Sequence, residues 1–217
     1  MWCALDETYD GFLFICQTTE PHYYLPDSTE SKFLDIESAR ESGYPVVRGK
    51  HLKATKASVL ADASPTVGFI LGDGYSFSDL KDVFATLRDV LRDHGYDAYL
   101  DQNSQQGNDI VIDGRKVAGF AYGGGLAGMF INGGIELPMY EHIRLPDSKF
   151  DGKLVDTVEE RIGTIDEIDD SLVNDVRNGI VDTLEIDHTE EEIPDNVWVR
   201  QEELIAEMTS DDELFRL

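Results

Sequence analysis

Apolar positions along the chain fall into two periods, one suited to strands and one to helices. Short runs rich in β-branched and aromatic residues occur at Gly11–Gln17 (GFLFICQ), Thr66–Leu71 (TVGFIL), Tyr96–Leu100, Ile110–Ile112, Val117–Ala121, Met129–Ile131 and Ile135–Leu137. Each predicts a strand, as does PVVR at Pro45–Arg48. Pro21–Pro26 (PHYYLP) reads as an aromatic loop or an edge strand, because proline cannot donate to a central ladder. Helical spacing is clearest over 78–94, where Leu80, Val83, Phe84, Leu87, Val90 and Leu91 recur at i, i+3, i+4 and i+7. Ser78 is placed as its N-cap and Gly95 as its closing glycine. Ser31–Ser42 predicts a second helix, with Phe33, Ile36 and Arg40 on one side and Gly43 at C′. Leu172, Val176, Ile180 and Leu184 repeat at i+4 and predict a third, with 185–196 as a connecting loop.

The centre of this pattern is 107–125, GNDIVIDGRKVAGFAYGGG. Asp113-Gly114 between two β-type runs is a hairpin signal, because both turn positions of a type I′ turn need φ > 0. Lys116 then falls just past the turn. Strict alternation puts Lys116, Ala118 and Phe120 on one side of the returning strand. Two readings stand. Lys116 on a small-residue face, followed by glycines, meets a ligand that approaches the backbone closely, or it is a solvated lysine on an exposed hairpin.

Composition narrows the partners. The 217 residues carry a formal net charge of −26 and 41% apolar residues, enough for a packed core. Such acidity argues against a nucleic-acid surface, which needs a basic stripe, and disfavours anionic membranes. It fits a solvating surface and also suits high salt. No run of about 18 apolar residues occurs, and acids stand where a signal peptide has its positive region, so a cytoplasmic protein without a membrane span is expected. From 151 onward the chain holds 22 acids and 5 bases. The reading is a core over 1–150 and an acidic helical segment over 151–217, packed on that core as one domain.

Candidate chemistry is sparse. The chain has no Walker A loop, GxSxG elbow, HExxH, CxxC or dinucleotide fingerprint. Its five histidines lack ligand spacing, so no protein-held metal is expected, and His142 reads as an exposed lone histidine. Cys3 and Cys16 read as free, small apolar residues. The one basic cluster, RGKHLKATK at 48–56, is either an anion site or an edge that resists aggregation.

NDIVIDGRKVAGFA at 108–121 resembles the lysine motif of the lipoate–protein ligase and octanoyltransferase family, which shares its fold with biotin–protein ligases. WCALDETY resembles the family's first helix, and DIESARESGYPVVR its helix–turn–strand. MFINGGIELPMYEHIRLPDSKF and VDTVEERIGTIDEI resemble its later hairpin and helix-edge segments, and QEELIAEMTSDDELF its final helix. The resemblance implies an α/β fold of the α+β type, a mixed β-sheet flanked by helices on one main face. It implies transfer of a lipoyl or octanoyl group through an acyl-adenylate to a lysine of a lipoyl-domain acceptor, with ATP, lipoate and Mg2+ as ligands. Lys116 takes the place of the lysine that contacts the acyl-adenylate. Arg48 and Lys50 would contact phosphate. Asn108 and Asp109 open the motif, Gly119 is the close-approach glycine, and Gly133 and Gly134 line the acyl site.

The chain departs from this family in three places. Gly49, Lys50, His51, Leu52, Lys53 and Ala54 stand where the family has a Ser-Gly-Gly-Gly run. Asn132, Gly133 and Gly134 stand where it has His-Gly-Thr. No cysteine falls where the octanoyltransferases place their nucleophile. The separate accessory domain of some ligases is not expected within this length, which leaves three readings: an accessory subunit, a compact tail that completes the site, or action on preformed adenylate. The alternative reading is a catalytically inactive binding or regulatory protein that kept the fold.

Overall fold

The computed structural model describes residues 11–17, 21–26, 31–49, 60–62, 67–72, 75, 77–101, 109–123, 126–133, 137–144 and 157–210. The expected first helix over WCALDETY, the basic cluster beyond Gly49 and residues Cys3, Lys50, Asn108, Ile135 and Gly134 lie outside them.

In chain order the elements are β1 (Phe12–Gln17), β2 (His22–Pro26), a 3-10 turn at Ser31–Phe33, α1 (Ile36–Glu41), β3 (Val46–Gly49), β4 (Leu60–Asp62), β5 (Val67–Gly72), α2 (Phe77–Asp93), β6 (Ala98–Leu100), β7 (Asp109–Ile112), β8 (Arg115–Gly123), β9 (Leu126–Ile131), α3 (Leu137–Tyr140), α4 (Val158–Arg161), α5 (Asp170–Thr183) and α6 (Asp195–Ser210). Six strands form an antiparallel sheet in the order β1-β5-β9-β8-β7-β6. A second sheet, β3-β2-β4, is mixed: β2 runs parallel to β3 and antiparallel to β4.

The long helix forms for the reason its spacing gives. Leu80, Val83, Phe84, Leu87 and Leu91 fall on one stripe, and all five are buried. They pack on a sheet face made of Val67, Phe69, Leu71, Ala118, Phe120, Ala127, Met129 and Ile131. The register places these residues on one side: Phe69 faces Met129, and Met129 faces Phe120. Phe84 meets Phe120 edge-on, with centroids 5.0 Å apart. Leu172, Val176 and Ile180 of α5 complete the same core. Gly179 is the point of close approach to α2, since a Cβ there would lie 2.8 Å from Thr86 Cγ2. Thr86 and Thr183 share a hydroxyl hydrogen bond of 2.8 Å beside it.

Several end signals behave as expected. Gly43 and Gly95 take positive φ (86° and 89°) just past α1 and α2. Asp35 caps α1 by accepting from the Ser38 N–H, and Asp169 caps α5 by accepting from Leu172. Other expectations are corrected. Ser78 is not an N-cap, because α2 already begins at Phe77. Leu137 opens a helix rather than ending a strand, with Pro138 in the first turn, where its missing N–H has no helical partner to lose.

The larger correction concerns the aromatic hexapeptide. His22–Pro26 is the central strand of the second sheet, not a loop or an edge. Pro21 precedes it. Pro26 pairs only with the β3 side, because the ladder to β4 stops at Tyr24. Tyr23 and Leu25 between the prolines are fully buried, in a small core with Leu34, Ala39, Met139 and Ile143. His142 is buried too, not exposed: Tyr23 and Tyr44 approach its ring at 6.1 and 6.3 Å.

Tyr23 donates a 2.6 Å hydrogen bond to the Met139 carbonyl. Burial, then the neighbouring Tyr44, pushes its phenol well above the ordinary 10.0. The fold thus favours the neutral phenol. That contribution is complete below pH 10.0 and is lost as pH rises, because the unfolded chain sheds the proton first. Tyr23→Phe is expected to cost about 1–3 kcal/mol at neutral pH by orphaning the Met139 carbonyl. It should also flatten the alkaline fall in stability. Urea midpoints at about pH 8 and pH 11 check both effects.

Candidate functional site

The β7–β8 hairpin turns at Asp113 and Gly114, whose φ values are 51° and 77°. Two consecutive positive φ angles are those of a type I′ turn, as the Asp-Gly pair requires. The register is regular from Asp109↔Gly119 to Ile110↔Ala118, then jumps so that Val111 faces Lys116. Val117 is the extra residue of a β-bulge on β8.

The bulge decides which way Lys116 points. Alternation alone would align it with Ala118 and Phe120, which face the helix-covered core. One extra residue reverses that parity. Lys116 therefore lies on the opposite face of the sheet, with Asp109 and Gly119, which corrects the expectation from the sequence. The bulge is held from the other side of the strand. Gly163 N–H donates to the Lys116 carbonyl at 2.8 Å, Asn132 N–H donates to the Val117 carbonyl at 2.8 Å, and Lys116 forms a parallel bridge with Ile162.

Gly119 makes room for the lysine. A Cβ there would sit 2.6 Å from Lys116 Nζ and 2.7 Å from Cε, so the side chain crosses the bare backbone of the next strand position but two. It ends 2.7 Å from Asp109 Oδ1. The carboxylate is 8% exposed and the lysine 30%, so the ammonium keeps a solvent-facing side while its counter-ion is buried. Arg161, at the end of α4, approaches the other carboxylate oxygen, with Nη2 3.9 Å from Oδ2. The three side chains carry a net charge of +1 in a chain of −26.

The face around this group is lined by small residues and rings. Cys16, Gly68, Phe130, Gly119 and Asp109 form one row across five strands. The Cys16 sulfur and the Phe130 ring close over Gly68, where a Cβ would meet them at 2.8 and 2.9 Å. Cys16 Sγ donates weakly to the Gly68 carbonyl at 3.7 Å.

Of the residues expected at the site, the structure brings together Asp109, Lys116 and Gly119. Gly133 follows Asn132, whose side chain reaches the Lys116 carbonyl at 3.5 Å and the Gly163 carbonyl at 3.4 Å. Arg48 lies in the other sheet, on β3 opposite Leu25. Arg161 was not singled out in the sequence, where it is one base within VEERIG and its partner lies on a distant strand. Chemically the group suits an anion: a half-buried ammonium, held extended, beside a backbone with no Cβ. Among the described residues no cluster of three or more His, Cys, Asp or Glu converges on a metal position, and no helix is long and apolar enough to cross a membrane.

No protein-family model and no curated protein matches the chain. Solved structures do. A chain from the archaeal lipoylation system of Thermoplasma acidophilum, described as a bi-partite lipoate protein ligase and its E2 lipoyl domain, superposes with a TM-score of 0.72 at 19% identity, covering 97% of this chain and 87% of that one. A lipoate-protein ligase A bound with ATP gives 0.75 at 16% identity over 97% and 89%. A T. acidophilum protein assigned as a lipoate protein ligase, with bound lipoic acid, gives 0.75 at 15% over the same shares. At these identities the likeness is one of architecture: the chain has the lipoate–protein ligase fold.

Proposed function

We propose that this protein transfers a lipoyl or octanoyl group from an acyl-adenylate to a lysine of a lipoyl-domain acceptor. The observation that carries the reading is the Lys116 ammonium, held by Asp109 across Gly119 on the sheet face opposite α2 and α5. The fold supports it, since neighbours of the same architecture are described with ATP, with lipoic acid and with an E2 lipoyl domain.

In this reading Lys116 is an electrostatic group, not a nucleophile. Its Nζ binds the phosphate and carboxyl oxygens of the mixed anhydride. The neutral acceptor amine attacks the acyl carbon, the carbonyl oxygen gains charge, and AMP leaves with the bonding pair as the amide forms and the amine's proton passes to solvent. A fixed cation near both oxygens stabilises charge as it forms. Asp109 keeps the lysine extended before ligand arrives, so the ordering cost is met in the free protein. Gly119 lets the adenylate come close to β8. Arg48 and Lys50 would supply phosphate contacts, Asn108 and Gly134 would flank the motif and the acyl wall, and Mg2+ would arrive with the phosphates of ATP.

A second reading, a non-catalytic binding module, is favoured by one feature: Gly49–Ala54 lacks the glycine run of the family it resembles. Intact mass of a lipoyl-domain acceptor separates the two. The protein is incubated with lipoate plus ATP, and separately with preformed lipoyl-adenylate, at low and high salt. A mass gain in both reactions is expected of a complete ligase. A gain with the adenylate alone marks a transferase that needs an accessory subunit for activation. No gain in either, beside a working control ligase, sinks the transfer reading and leaves the binding module.

A further inference from the structure

Asp109 has two carboxylate oxygens and two cations, one on each. Lys116 Nζ is 2.7 Å from Oδ1, and Arg161 Nη2 is 3.9 Å from Oδ2. The arginine is the more enclosed cation, its side chain 14% exposed against 30% for the lysine. Its helix is tied to the lysine's own backbone. Ile162, the next residue, bridges to Lys116, and Gly163 donates to the Lys116 carbonyl. Arg161 is thereby anchored beside the β8 bulge that carries Lys116. The other charged groups on the flanking positions, Arg115, Glu159 and Glu160, are exposed.

We propose that Arg161 is a positioning residue. Its guanidinium engages Asp109 Oδ2, which turns Oδ1 toward Lys116, and its charge draws part of the carboxylate's field away from the ammonium. A lysine held by an unshared, buried carboxylate would be locked in its ion pair and slow to give that partner up for a ligand anion. Sharing the carboxylate leaves the ammonium aligned but less tightly neutralised. The proposal rests on the reading of Lys116 as an anion-binding group, but its test needs no acyl substrate.

The test is the rate at which Lys116 is acylated by an amine-reactive N-hydroxysuccinimide ester at fixed, mildly alkaline pH, read by peptide mass spectrometry on the whole folded chain. Arg161→Met removes a neighbouring cation and leaves Asp109 to Lys116 alone. Both changes favour the protonated amine, which does not react. Labelling is expected to slow by about threefold. Arg161→Lys should label at the wild-type rate. Asp109→Asn should label faster. Loosening of α4 alone would free the lysine and speed labelling, so the direction separates positioning from a merely structural role. If Arg161→Met melts below the assay temperature, Arg161→Gln carries the same expectation. Unchanged or faster labelling in the folded charge-removing variant, or no acceleration in Asp109→Asn, overturns the proposal. Neither result touches acyl transfer, and a protein inactive in transfer still decides the question.

Discussion

Lys116→Ala is expected to lower acyl transfer to a lipoyl-domain acceptor by about 10²–10³-fold, the range seen when one preorganised donor to a developing oxyanion is removed. Stability will fall as well, because Asp109 is buried and loses its 2.7 Å partner. The lysine is 30% exposed and Arg161 stays near the carboxylate, so the cost is expected at about 1–2 kcal/mol rather than the full penalty of a buried orphan charge. Gly119→Ala isolates the chemistry better. Its Cβ would lie 2.6 Å from Lys116 Nζ, and the clashing atom is the free end of a long side chain, which can swing aside at the cost of its close pair with Asp109. Both charges survive, yet the ammonium leaves its place. Transfer should drop on the order of 10²-fold while the melting temperature moves by only about 3 °C, given roughly 2–4 °C per kcal/mol for a chain of this size. Steady-state kinetics with preformed lipoyl-adenylate, beside a thermal melt, measure both. Wild-type transfer in Gly119→Ala would mean that Lys116 does not act from the position it holds over β8.

The hairpin that carries this group was legible because its signal is local. Asp113-Gly114 dictates the turn, and Lys116 and Gly119 follow at fixed offsets. The face that Lys116 occupies was not legible. No glycine or proline marks the bulge at Val117, and its hydrogen bonds come from Asn132 and Gly163, on other segments. A period-2 reading therefore carried Lys116 to the wrong side of the strand. Arg161 was hidden for the same reason, since only tertiary pairing joins α4 to β7. The burial of His142 likewise depends on Tyr23 and Tyr44, which are remote in sequence. The central place of β2 was in principle readable. The proline rule applies to residues that must donate to the ladder, and in PHYYLP the two residues paired on both sides are Tyr23 and Tyr24, between the prolines. Leu137 offered a comparable signal in Pro138, which suits a first helical turn. The i, i+3, i+4 stripe of α2 was readable in full, because amphipathic spacing over many turns leaves no other face to bury.

That stripe also sets the largest stability effect. Phe84→Ala is expected to destabilise the protein by about 3–5 kcal/mol, from lost transfer energy and the cavity left behind. Phe84 is 1% exposed and among the largest fully buried side chains. Its ring stands edge-on to Phe120 at 5.0 Å, and Phe120 lies on β8, the strand that carries Lys116 on its other face. The substitution removes a ring contact between α2 and that strand. The melting temperature should fall on the order of 10 °C. Phe84→Leu fills most of the volume and should cost less than half as much. The two variants also separate packing from chemistry. Below its lowered melting point Phe84→Ala should keep the Lys116–Asp109 pair, because the β8 bulge is fixed by Asn132 and Gly163 and not by the helix. Residual transfer per folded molecule near the wild-type value would bear this out. A large loss of transfer in folded Phe84→Ala would show instead that helix packing on the core face sets the geometry of the lysine on the other.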